Sequence, residues 1–106
     1  MKAMMSIPLA GKTDDEIISS RKRAIAYLES HGYEVVNVKF DDEWYSKESM
    51  EKRGVVNIPL CYLAKSLEQM TQCHAAYFVK GWENTRGCKI EHEVAEKYGV
   101  KIIEEE

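Results

Sequence analysis

Apolar residues along this chain follow two rhythms. Short apolar runs occur in "KAMMS" at the start, in "YEVVNVKF", and later in "HAAYFV". Between them, apolar residues recur every three or four positions within charged stretches. The runs suit buried strands and the longer rhythm suits helices. Lys2 to Ser6 is the predicted first strand. "SIPLAGKTDDE" then leads into a helix predicted over Asp14 to Ser30. Thr13 is its cap, and Glu16 three residues on closes a capping box. Gly32 can take the left-handed conformation that ends it. "YEVVNVKF", Tyr33 to Phe40, is rich in β-branched residues and reads as the second strand. Asp41 to Val56 is polar and charged, and fits either one short helix or a mobile loop. "NIPLCYLAKSLEQM" is a second helix with Pro59 near its first turn. His74 to Val79 is the third strand. Arg86 to Tyr98 is a third helix stopped by Gly99, and Lys101 to Ile103 a short last strand.

Strands alternating with helices imply parallel strands joined by right-handed crossovers. The expected fold class is α/β: one three-layer domain over residues 1–106 with a small parallel sheet of about four to five strands. In such sheets ligands bind beyond the carboxyl ends of the strands, where the strand order switches. Three segments are expected to meet there: "SIPLAGK", "KFDDEW" and "KGWENTRG".

Composition narrows the partners. Apolar residues make up 44% of the chain and charged residues 31%, with a net charge of −3. Acids and bases are mixed, so no basic face marks a nucleic-acid partner. The "EEE" at the end reads as a solvated tail. The apolar N-terminal run is too short to span a bilayer and lacks a cleavage region, so no membrane partner is expected. Three irregularly spaced cysteines, Cys61, Cys73 and Cys88, do not make a disulfide framework and point to the cytoplasm. Cys61 and Cys88 are candidates for a reactive thiol or, the commoner case, inert buried ones. Cys73, His74, Cys88 and His92 match no common zinc spacing, and no metal is expected.

One acidic residue stands out. At about 100° per residue, Ile90, Val94, Gly87, Tyr98, Ala95 and Cys88 share one arc of the third helix. Glu91 falls inside that arc, while Arg86, Lys89, His92, Glu93, Glu96 and Lys97 fall opposite. A carboxylate buried without partners costs several kcal/mol. Glu91 is therefore either a working carboxylate in a pocket or half of an ion pair. Arg21 is the possible partner, because it lies in the apolar stripe of the first helix among Ile17, Ala24, Ile25 and Leu28.

"SIPLAGKTDDEI", "GYEVVN" and "GWENTRGCKIEHEVAEKYG" carry a family resemblance. With them the chain resembles the nucleoside 2-deoxyribosyltransferase-like superfamily, most closely its small DUF4406 branch, common in phage and prophage genomes. The pattern "GWENxRGxxxEHExA", Gly81 to Ala95, is the specific part, and Asp41 to Val56 matches most loosely. The resemblance implies a flavodoxin-like fold, no cofactor, and chemistry at the bond between a sugar and a base. By position Glu91 is the nucleophile that attacks the anomeric carbon. The glycosyl ester so formed is resolved by a second base in transferases and by water in hydrolases.

The resemblance also suggests a substrate cradle in Ser6, Ile7, Pro8, Gly11 and Lys12, unless that loop is a plain turn. Trp82 either stacks on the base or packs at the sheet edge, Asn84 reads the base edge, and Gly87 leaves room above Glu91. A nucleoside or nucleotide is the expected ligand, a 5′-monophosphate the tighter one, and a homodimer or larger homo-oligomer the expected assembly. One departure matters. Active relatives carry an aspartate where this chain has Ser66, and often an acid where it has His74. Either Glu83 or an acid from Asp41 to Glu51 replaces it as the second catalytic group, or the protein binds nucleotides without catalysis.

Overall fold

A computed structural model of the chain describes residues 1–38 and 43–106. Among these, four strands form one all-parallel sheet, β1 (Lys2–Ser6), β2 (Glu34–Val35), β3 (Ala75–Phe78) and β4 (Lys101–Glu104). Four helices connect and cover them: α1 (Asp14–Ser30), α2 (Lys47–Lys52), α3 (Ile58–Met70) and α4 (Arg86–Lys97). The strand order is β2-β1-β3-β4, and the architecture is the expected three-layer, flavodoxin-like α/β arrangement. The order reverses at β1: the chain moves one way to β2, then crosses to β3 on the other side. The carboxyl ends of β1 and β3, paired Ser6 to Phe78, are therefore the switch point.

Two apolar layers follow from the alternation of side chains along strands. Ala3, Met5, Ala75, Tyr77 and Val79 pack with Ala24 and Leu28 of α1 on one face. Met4, Ala76 and Phe78 pack with Met70 of α3 and Ala95 of α4 on the other. Phe78, Met4 and Leu28 are among the largest fully buried side chains, each worth about 1.5–3 kcal/mol of burial. Among the described residues, no helix is long and apolar enough to cross a membrane.

Most element boundaries match the sequence. Thr13 caps α1 with both halves of the capping box present, and Gly32 takes φ 84° just beyond the helix. Asn57 caps α3 through Leu60 N, with Pro in the first turn. The unassigned stretch holds the short helix α2, capped by Ser46.

The second strand is much shorter than predicted. Its ladder to β1 covers Lys2–Glu34 and Ala3–Val35, and a last bond runs from Val36 N to Ala3 O at 2.9 Å. The Asn37 side chain then takes over. Its Oδ1 accepts from Met5 N and its Nδ2 donates to Met5 O, both at 2.9 Å. A carboxamide thus replaces a strand residue, and the chain leaves the sheet. Arg21 holds the departing backbone, donating through Nη2 to Asn37 O at 2.9 Å and also to Val38 O. The predicted end of this strand, Lys39 and Phe40, lies outside the described residues.

The "EEE" end is not a free tail. Glu104 belongs to β4, and Glu105 N donates to Phe78 O at 2.9 Å. The Glu105 carboxylate pairs with Arg23 of α1 at 3.1 Å and accepts from Lys80 N at 3.0 Å. These bonds hold its carboxyl below the usual carboxylate range despite burial.

Asn37→Ala is expected to destabilise the protein by about 2–4 kcal/mol, because it strands a donor and an acceptor of a central strand. Urea melts of the two proteins measure this. A loss below about 1 kcal/mol would mean that water replaces the carboxamide without penalty.

Candidate functional site

The site begins at the last residue of β1. Ser6 points to the same face as Met4, toward α4, and is 2% exposed. Across from it, α4 buries Cys88, Glu91 and Ala95, a stripe at helical spacing. Glu91 is 8% exposed. Ser6 lies beside both Glu91 and Cys88, and each feels its hydroxyl. No described group meets full hydrogen-bond geometry with the Ser6 Oγ. The three groups are close neighbours in an interior layer dry enough to matter electrostatically.

Burial pushes the Glu91 carboxyl group up to about 7, with the Ser6 hydroxyl a smaller opposing influence. Among the described residues no cation pairs with it. The Arg21 partner is overturned, since Arg21 spends its guanidinium on the Asn37 and Val38 carbonyls. Glu91 is thus a buried carboxyl group poised to change charge near neutral pH. Beside it, burial also pushes the Cys88 thiol up. Cys73 is pushed up to about 11 by the same cause, so neither favours the reactive thiolate form.

The buried arc of α4 is shifted from the one read off the sequence. Ile90 and Tyr98 are exposed, at 36% and 82%. His92, expected on the solvent side, is half-buried. Its ring stacks on Trp82 with centroids 3.9 Å apart and planes 2° apart, and meets the edge of Phe78. Its Nε2 lies 2.9 Å from Glu104 Oε1. The cause is the short 3₁₀ turn at Trp82–Asn84, which folds an aromatic surface over this side of the helix. One face of Trp82 is therefore occupied by protein. Spacing alone could not reveal this, because His92 reads as polar on a wheel.

The two loops beyond β1 and β3 meet. Val79 N donates to Ser6 O at 3.0 Å. Gly81 has φ 97°, a conformation strained for any side chain, and an added Cβ would lie 3.7 Å from Pro8 Cγ. Pro8 is buried, Ile7 half-buried, and Gly11 and Lys12 exposed. Glu83 and Asn84 are exposed on the 3₁₀ turn. Gly87 lies in the first turn of α4, with nothing among the described residues within 4 Å of an added Cβ. Trp44, the described end of the middle segment, stacks under Arg53 at 3.9 Å, and residues 39–42 lie outside the described residues.

A shallow groove of about 560 Å³ runs on the α1 side of this edge, lined by Pro8, Lys12, Arg23, Lys80 and Gly81 with acidic Asp15 and Glu16. Glu91 is not in its lining, so carboxylate and groove lie apart. Some of the α1 amides are already used: Glu16 N donates to Thr13 Oγ1, and Thr13 N to Glu16 Oε1. Of the segment expected to offer another acid, Asp41 and Asp42 lie outside the described residues. Ser66 is half-buried on α3. His74 sits at the amino end of β3, where its Nδ1 accepts from Lys2 N at 3.0 Å. Glu48 and Glu51 pair with lysines along α2. Among the described residues, no three His, Cys, Asp or Glu side chains converge to hold a metal ion.

The raised Glu91 value has a stability consequence. Its ordinary value is 4.5 and the folded value about 7, so ionisation costs folding free energy. Below the lower value both states bind the proton and there is no penalty. Above the upper value the penalty is complete, about 3 kcal/mol. Glu91→Gln is expected to gain on the parent protein by that amount as pH rises from about 5 to about 9. Urea melts at both ends of that range measure it. A difference that did not change with pH would mean that Glu91 is not held in a dry site.

No curated protein and no solved structure matches the chain. The strand, helix and loop that build the site all lie within the stretch matched by one family model, described as a domain of unknown function. The chain belongs to that family, DUF4406, which matches it over residues 1–104.

Proposed function

We propose that the protein binds a nucleoside or nucleotide and breaks its N-glycosidic bond, with Glu91 as the nucleophile. The observation that carries this is a buried carboxyl group with no cation partner among the described residues, at the switch point of a parallel sheet. A structural carboxylate in that position is expected to have a cation beside it. The resemblance of the "GWENTRGCKIEHE" stretch to deoxyribosyltransferase-like enzymes supplies the chemistry. The carboxylate oxygen bonds to the anomeric carbon as the bond to the base breaks, and the base leaves with the electron pair and takes up a proton. Water or a second base then displaces the carboxylate. A carboxylate suits an oxocarbenium-like transition state, since its charge stabilises the developing cation before the bond forms.

Glu83, on the exposed turn beyond β3, is one candidate for the proton, and an acid of the Asp41 to Glu51 segment is the other. Its exposure, and Ser66 in place of an acid, favour a second reading: a nucleotide-binding protein without turnover. Lys12 and Lys80 in the groove supply positive charge for a 5′-phosphate. A homodimer belongs to the same reading, with the exposed Ile58, Leu60 and Tyr62 of α3 as apolar surface for it.

Release of free base from a panel of nucleosides and 5′-monophosphates, followed by chromatography, tests the reaction. Glu91→Gln is expected to lower the rate roughly 10³-fold or more. The nucleophile works only when ionised, so kcat/KM should rise with pH and level off above about 7. Ligand-induced thermal shift without base release would favour the binding reading.

The phosphate preference is a separate expectation. A 5′-monophosphate should bind about tenfold tighter than its nucleoside, a charge-assisted contact being worth roughly 1.5–3 kcal/mol. Lys12→Ala should remove part of that preference, and added salt should weaken it. Calorimetry measures both, and equal affinities would leave the loop an ordinary turn.

A further inference from the structure

The Ser6 hydroxyl, expected in the substrate cradle, faces no solvent, and it is the strongest unexplained feature of the molecule. The residue is 2% exposed, and its Oγ is sealed from water and lacks a full hydrogen bond among the described residues. Buried hydroxyls in folded proteins are seldom left so. With no water in reach, its partners must come from the groups beside it.

Two polar neighbours are available, both from α4. Glu91 accepts only, once ionised, and Cys88 keeps its proton because burial pushes the thiol up. The apolar layer on this face of the sheet comprises Met4 of β1, Ala76 and Phe78 of β3, Leu67 and Met70 of α3, and Ala95 of α4. Cys88 is the titratable group whose charge couples to Glu91. Cys73, the other thiol at this layer, stays protonated. Thr85 donates to Trp82 O at 3.3 Å, and its oxygen is a second acceptor beside the Cys88 thiol. One proton arrangement satisfies all three groups: thiol to hydroxyl oxygen, hydroxyl to carboxylate.

We propose that Ser6 is the positioning residue of the site: its hydroxyl donates to the Glu91 carboxylate and accepts from the Cys88 thiol, tying α4 to the end of β1. Its meaning for catalysis rests on the reading of Glu91 as nucleophile, but the contact itself does not. The bond fixes one carboxylate oxygen and leaves the other free to accept from a ligand or to react. It also favours the ionised form that a nucleophile needs.

The test follows the Glu91 titration by NMR in protein labelled with carbon-13 at the glutamate carboxyl carbons, the resonance being assigned with Glu91→Gln. Ser6→Ala is expected to raise the midpoint by about one to two pH units, and Ser6→Thr to restore most of the shift. A purely structural serine would change stability and leave the midpoint within about 0.3 unit, which would overturn the proposal. Should Ser6→Ala not fold, the infrared difference between the parent protein and Glu91→Gln at high pH decides. A carboxylate stretch displaced by hydrogen bonding supports the bond, and an unperturbed one overturns it. Base release is scored separately. A moved midpoint without turnover keeps the Ser6 contact and removes the catalytic reading; turnover with an unmoved midpoint does the reverse.

Discussion

The central strand β1 is the constraint on which the rest depends. It is buried on both faces from Ala3 to Ser6, and its backbone groups need partners along both edges. β3 satisfies one edge over its whole length. The other edge has only two paired residues of β2, and the Asn37 carboxamide completes it at Met5. That completion frees the chain after Asn37 to leave the sheet, with Arg21 holding the exit. Arg21 is thereby committed to backbone carbonyls and unavailable to Glu91.

The same strand sets the electrostatics of the site. Its alternation sends Ser6 toward α4 and into the dry layer that holds Glu91 and Cys88. Desolvation there outweighs the one polar neighbour, which is why the carboxyl group rises rather than falls. At the opposite face the balance differs. Glu105 meets Arg23 and the Lys80 amide, so its carboxyl falls although it too is partly buried. Two carboxylates near the carboxyl edge of the sheet thus take opposite directions. One is tied down as structure and the other is left able to change charge.

Local signals were legible in the sequence wherever a short-range rule governs. The capping box at Thr13, the stops at Gly32 and Gly99, the Pro59 entry into α3 and the α/β order all depend on residues a few positions apart. Glu91 was legible too, because helical periodicity alone places it on the apolar arc. The arc's true centre was not. Trp82 covers the His92 side, while Ile90 and Tyr98 stay exposed, and only packing between segments decides that.

What the sequence determined by itself is therefore the order of elements, the parallel sheet they imply, and the inward carboxylate of α4. The tertiary structure decided which cation stands near which acid, because charges and hydrogen bonds pair across space at ångström range. Arg21 lies in the inward stripe on either account, yet its guanidinium reaches the Asn37 and Val38 carbonyls. Glu105 reads as tail, yet it crosses from β4 to α1. Asn37 reads as one polar residue within a strand pattern, yet it ends the strand by taking the place of its backbone. In each case a pattern of residue types left the partner open, and the three-dimensional course of the chain chose it.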